Sequence, residues 1–173
     1  MINWLTKARK RGCPLLAVQT PEPLGALVDI GKEATKQNAA AWSWDCAAGI
    51  IALTAHATEH SAKEDYGIGP DIMPALAETM PYGGLLLAQW HQEYWQDAKV
   101  RQGIMNLRDP FKRTERTLVL LGRQLTVPKS LHSDFLLYTE TLPGTAELGS
   151  VIEDIEAHLP VKLPASEQHA AID

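Results

Sequence analysis

Apolar residues fall along this chain in two kinds of pattern: short dense runs, and longer stretches where they recur every three to four positions. The dense runs are Leu15–Gln19 (LLAVQ), Ala40–Trp44 (AAWSW), Leu85–Ala88 (LLLA), Thr117–Leu121 (TLVLL) and Phe135–Tyr138 (FLLY). Runs of that length, bounded by Gly and Pro, predict strands buried on both faces. Between them the pattern changes. Ile2–Arg11 predicts a short helix with basic residues in its last turn, where they favour the dipole, stopped by Gly12 and Pro14. A second helix is expected from about Leu24 to Asn38, with Leu24, Leu27, Val28 and Gly31 on its buried face. Asp71 can cap a short helix expected through Met80, and Asp97–Leu107 predicts another that Asp109-Pro110 breaks. Leu148, Val151, Ile152, Ile155 and Leu159 recur at helical spacing up to Pro160. The stretch Asp45–Gly69 stays open: Cys46–Thr58 is Ala-rich and suits a helix, whereas the residues after Thr58 are polar and turn-like.

Five strands alternating with helices, with no tight hairpin between them, predict an α/β fold: a parallel sheet covered on both faces. Crossovers in such a sheet are right-handed, and ligands bind at the carboxyl ends of the strands.

Composition narrows the class. At 173 residues the chain is one domain with a short appendage, and 45% hydrophobic against 21% charged residues excludes a disordered chain. It has no run of about 18 apolar residues, so no membrane span is expected. In MINWLTKARKRGCPLL the charges follow the apolar residues, the reverse of a secretory signal. Cys13 and Cys46 make no disulfide framework and predict free thiols in the cytoplasm. The net charge of −5 argues against general nucleic-acid affinity. Its distribution is uneven: eight basic residues stand between Lys99 and Lys129 against Asp109 and Glu115, and Lys162 alone faces eight acids from Ser130 onward. That split suits head-to-tail protein contacts, or two solvated faces.

The strand ends carry the functional argument. A phosphate cradle after the first strand needs successive backbone N–H groups, a lysine and a hydroxyl residue, as in GxxxxGK[ST]. Here the loop is Gln19-Thr20-Pro21-Glu22-Pro23-Leu24-Gly25: two prolines supply no N–H and Glu22 repels phosphate. Gly31-Lys32 lies mid-helix before Glu33 and does not replace it. The third strand leads into Gln89-Trp90-His91-Gln92, where an ATPase places acids for magnesium and water, and Glu93 comes late. The fourth leads into Leu121-Gly122-Arg123, with no polar residue placed to sense a γ-phosphate. Three independent positions lack nucleotide chemistry.

These segments carry a family resemblance. ARKRGCPLLAVQTPEP, AAAWSWDCAAGI, GGLLLAQWHQEYWQD, RTLVLLGRQLTVPKSLHSDF, LPGTAEL and VIEDI resemble the degenerate amino-terminal domain of the plastid- and cyanobacterial-type AAA ATPases and their bacterial relatives, from about Ala8 to Leu159. The pairing of TLVLL with TVPKSL is its most specific part. The resemblance implies a five-stranded AAA-type sheet in the order 5-1-4-3-2 that lacks the P-loop, spanning residues 1–159. Residues 160–173 would begin a helical lid or linker that is then cut off, in a fragment or in a domain that stands alone. It further implies no cofactor in this chain, with ATP and magnesium held by a competent module or partner, and protein partners in a homo-oligomeric ring. The chain departs from the family at Trp90, where relatives often keep an acid, and at Lys129-Ser130, where an acidic neighbour is usual.

The function expected on these grounds is a nucleotide-incompetent assembly or regulatory domain of, or partner to, an AAA ATPase, acting through protein–protein contacts. The alternative is a ring-dependent ATP-hydrolysing protein whose competent module lies outside this chain, with Arg123 or Lys129 reaching a neighbour's phosphate. An adaptor working through the Trp90–Trp95 face is a third reading. The ligand-edge or interface candidates are Thr20, Gln89, Trp90, His91, Tyr94, Trp95, Arg123 and Lys129, with no catalytic residue among them. Trp90 also reads as core under the following helix, while Tyr94 and Trp95 are open between core and contact. Trp42 and Trp44 alternate on one strand, so at least one is expected in the core. His56, Glu59 and His60 spell HxxEH, the inverted zinc-protease motif, which offers a zinc-dependent hydrolase as a further alternative. The polar residues after it and the lack of a third ligand favour a solvated connection instead.

Overall fold

The computed structural model describes residues 1–59, 69–70, 80–141, 148–149 and 152–153. The chain divides into two compact units, Met1–Glu140 and Thr141–Asp173. In the second, 148–149 and 152–153 are helical, as the spacing predicts; the other residues of that expected helix, the expected boundary at 159/160 and most of the helix expected over Asp71–Met80 lie outside the described residues.

The first unit runs α1 (Ile2–Lys10), β1 (Leu15–Gln19), α2 (Pro23–Lys36), β2 (Ala41–Asp45), β3 (Gly49–Ala52), α3 (Ala55–Glu59), β4 (Leu85–Gln89), α4 (Ala98–Arg113), β5 (Thr117–Gly122) and β6 (Phe135–Thr139). Short 3-10 helices at Gln92–Gln96 and Lys129–Leu131 follow β4 and β5. The sheet order is β3-β2-β4-β5-β1-β6. The five predicted strands pair in parallel with the relative order expected, as in Leu16↔Val119 and Leu87↔Val119. Strand number and full order differ from the expectation by one strand. Gly49–Ala52 pairs antiparallel with β2, Trp44 opposite Ile50, across a tight turn at Cys46–Ala48. The helical alternative for Cys46–Thr58 therefore fails over its first half. The Asp45 carboxylate accepts the N–H groups of Ala47 at 2.8 Å and Ala48 at 2.7 Å, an Asx turn that starts a hairpin rather than a helix.

Successive strand residues point to opposite faces, so one run feeds two cores. Leu15, Ala17, Trp42, Trp44, Leu86, Ala88, Leu118 and Leu120 meet Val100, Ile104, Leu107 and Phe111 of α4. Leu16, Val18, Leu85, Leu87, Val119 and Leu121 meet Leu5 and Ala8 of α1 and Ala26, Ile30 and Ala34 of α2. This is a three-layer α/β unit. Each fully buried Leu contributes about 1.5–3 kcal/mol of transfer free energy. At the sheet edge opposite the strands' carboxyl ends, the Arg9 guanidinium donates to the Gly83 carbonyl and to Thr117 Oγ1. Burial lowers the pKa of that guanidinium against the pull of Glu115.

Three local expectations are corrected. The buried stripe of α2 is Ala26–Ile30–Ala34, while Leu24 and Val28 are 62% and 49% exposed. Two residues turn a helix by about 200°, so Leu24 and Ala26 cannot share a face, and the sheet takes the smaller side chains for close approach. Pro110 lies within α4, which continues to Arg113, because complete burial of Phe111 holds the last turn onto the sheet. Finally, β6 is a partly exposed edge strand, with Leu137 51% exposed, instead of a strand buried on both faces.

Candidate functional site

The loops at the carboxyl ends of β1, β4 and β5 enclose a pocket of about 500 Å³ lined by Pro23, Leu24, Gln89–Glu93 and Leu121–Gln124. It lies where open α/β sheets bind ligands. Strand pairing continues beyond the strand ends to form it: Trp90 N–H donates to Leu121 O at 2.7 Å and Thr20 N–H to Gly122 O at 3.0 Å. Gly122 sits at a close approach here. A Cβ at that position would stand 3.0 Å from the Trp90 carbonyl oxygen and 3.5 Å from Leu125 Cβ. On the outer rim Gln92 bonds both backbone groups of Thr126, joining the loop after β4 to the loop after β5.

The loop after β1 turns its hydroxyl residue into the fold. Thr20 is buried, its hydroxyl donates to the Glu140 carboxylate, and its oxygen accepts Glu22 N–H at 3.1 Å. Glu140 N–H in turn donates to Gln19 O at 2.8 Å. Thr20 thus ties β1 to the end of β6 and does not line the pocket. Helix α2 opens with Glu22 as its N-cap, making no side-chain cap bond, and with proline in its first turn.

The aromatic candidates separate by burial. Trp90 and Trp95 are core residues, so neither indole forms a contact face, and Trp42 and Trp44 are both buried as well. Ring centroids lie 4.8 Å apart for Trp90 and Trp95 and 5.1 Å apart for Trp90 and Tyr94. Among the described residues the indole N–H groups of Trp44, Trp90 and Trp95 have no hydrogen-bond partner. An unmade buried bond costs roughly 1–3 kcal/mol, accepted here to bury rings of roughly 150–250 Å² each. Tyr94 is half-buried, edge-on to Trp44 and Trp90. Its phenol pKa is raised, first by burial, then by a hydrogen bond with Cys46, then by nearby negative charge including Asp45 and Glu93.

Of the sequence candidates, Gln89, Trp90, His91 and Arg123 converge on the pocket; Thr20, Tyr94, Trp95 and Lys129 are not in its wall. Leu24, Gln92 and Gln124 join it with no motif to announce them, because loop closure brings them together. At the other motif, His56 Nδ1 lies 3.4 Å from Glu59 Oε2 on the five-residue helix α3, and His60 falls outside the described residues. Among the described residues no three His, Cys, Asp or Glu side chains are grouped to hold a metal ion. Cys13 and Cys46 are free thiols. No helix among these residues is long and apolar enough to cross a membrane.

A comparison with curated proteins finds no match. The family model described as the N-terminal domain of SpoVK-like AAA ATPases matches residues 2–139, nearly the whole of the first unit. Five parallel strands with helices on both faces, and that match along them, place the chain in the N-terminal-domain family of SpoVK-like AAA ATPases.

Proposed function

We propose that this domain is a nucleotide-incompetent assembly and regulatory module of an AAA ATPase, acting through protein–protein contacts. Membership of the family supports a place within an AAA ATPase and, in general, oligomeric assembly. The observation that carries the finer reading is the commitment of Thr20. Its hydroxyl bonds Glu140 and Glu22 N–H, between two prolines' worth of missing donors at positions 21 and 23. A loop so engaged offers neither the hydroxyl nor the run of N–H groups that phosphate and magnesium require. ATP and magnesium then belong to a competent module or partner, in a cytoplasmic ring that this domain helps to assemble. Isothermal calorimetry of the 173-residue chain with ATP and magnesium tests the reading. No heat of binding at micromolar concentrations is expected; micromolar affinity would refute it.

A further inference from the structure

The pocket at the carboxyl ends of β1, β4 and β5 has free polar groups and an apolar approach, and together these define a guest. Among the described residues, the side chains of Gln89, Gln124 and Arg123 have no hydrogen-bond or ion-pair partner, although all three line it. Two primary amides supply donors and acceptors matched to a peptide backbone. Arg123 supplies a forked cation suited to a carboxylate. Among the described lining residues Glu93 is the only acid, and it shares the rim with His91. Pro23 and Leu24, at the start of α2, form the opposite side. The approach is apolar: Leu24 lines the rim, and Val28, one turn further along α2, extends an exposed strip away from it. A volume of about 500 Å³ accommodates one or two side chains rather than a folded element.

We propose that this pocket docks a peptide segment of a protein partner that inserts an acidic side chain toward Arg123 and lays a neighbouring aliphatic side chain on Leu24 and Val28. The proposal rests on the protein-contact function of the domain and names the partner chemistry for its site. Gln89 and Gln124 hold the peptide's main chain, so that only the charge and the adjacent apolar group are read. The Gln92–Thr126 bonds keep the two loops at the spacing the guest needs.

The test uses the full chain, labelled with nitrogen-15, and three blocked pentapeptides with leucine on each side of a central aspartate, asparagine or lysine. The aspartate peptide should shift the amides of residues 89–93 and 121–124, and bind at least tenfold more tightly than the lysine peptide. Arg123→Glu lies at an exposed position and should reverse that order, while Leu24→Ser should weaken the aspartate and asparagine peptides alike, by about fivefold. Equal binding of the three peptides, shifts confined to other residues, or no binding at all would each overturn the proposal. If no peptide binds and ATP–magnesium also leaves those amides unmoved, the docking inference falls and the nucleotide-incompetent reading stands. If ATP–magnesium moves them, both fall.

Discussion

The side chain of Gln92 grips Thr126 by both of its backbone polar groups: Nε2 donates to the carbonyl at 2.9 Å and Oε1 accepts the N–H at 3.0 Å. The residues are 34 apart in sequence, one after β4 and one after β5, so the pair fixes the width of the pocket mouth. Gln92→Ala removes both bonds from an exposed site, and the loss of stability should be about 1 kcal/mol. Urea denaturation measures that loss. Hydrogen exchange gives the local readout: the Thr126 amide should exchange faster in the variant, and an unchanged rate would show that the grip is idle.

Gly122→Ala probes the same mouth from below. The added methyl meets the Trp90 carbonyl at 3.0 Å, a backbone atom that moves only if the end of β4 moves. Overpacking of this kind costs typically about 1–3 kcal/mol. A lower thermal midpoint is expected, with chemical-shift changes centred on residues 89–91. A variant as stable as the parent would mean that the loops spread without strain.

Pro110 sits inside α4 with Phe111 buried beside it. Proline in a helix removes a hydrogen bond and crowds the preceding turn, although it also restricts the unfolded chain. Because the position is near the helix end, Pro110→Ala should stabilise the fold by about 1 kcal/mol, well under the full interior penalty of about 3 kcal/mol. Phe111→Ala should do the reverse and cost about 3–5 kcal/mol. Thermal unfolding of the two variants checks both signs; destabilisation by Pro110→Ala would show that the ring is needed for packing.

Tyr94 contributes to the alkaline limb of stability. Burial, the hydrogen bond with Cys46, and the negative charge of Cys46, Asp45 and Glu93 hold its folded pKa above the ordinary value of 10.0. The folded state therefore keeps the phenolic proton when the unfolded chain would release it. The resulting stability is present in full below about pH 10 and is lost as pH rises from there toward the folded value. Tyr94→Phe should flatten the fall in stability above about pH 10. The phenolate absorbance that the parent shows and the variant lacks should emerge only with alkaline unfolding. An early, reversible absorbance step near pH 10 would contradict this.

Much of the sheet was legible because its strands are buried and therefore written as dense apolar runs. Leu85–Ala88 and Thr117–Leu121 needed no long-range information to be recognised. Gly49–Ala52 did need it: GIIA is short, lies on an edge and has Ile51 facing solvent, so it resembles the Ala-rich stretch around it until Asp45 turns the chain. The candidate site divides similarly. Pro21 and Pro23 show in the sequence a loop with two missing N–H donors, but nothing local shows that Thr20 would be taken by Glu140, 120 residues away.

By itself the sequence determined the α/β class and the positions of the five parallel strands, since each depends on residue type over a few neighbouring positions. The tertiary structure alone decided which side of α2 faces the sheet, that Pro110 stays helical, that Trp90 and Trp95 belong to the core, and that Leu24, Gln89, Arg123 and Gln124 share one pocket. Those outcomes rest on competition between surfaces distant in the chain. Small side chains win where a helix must lie close to a sheet, and a large ring such as Phe111 can override a local break. Periodicity records that a residue is apolar; packing decides what it touches.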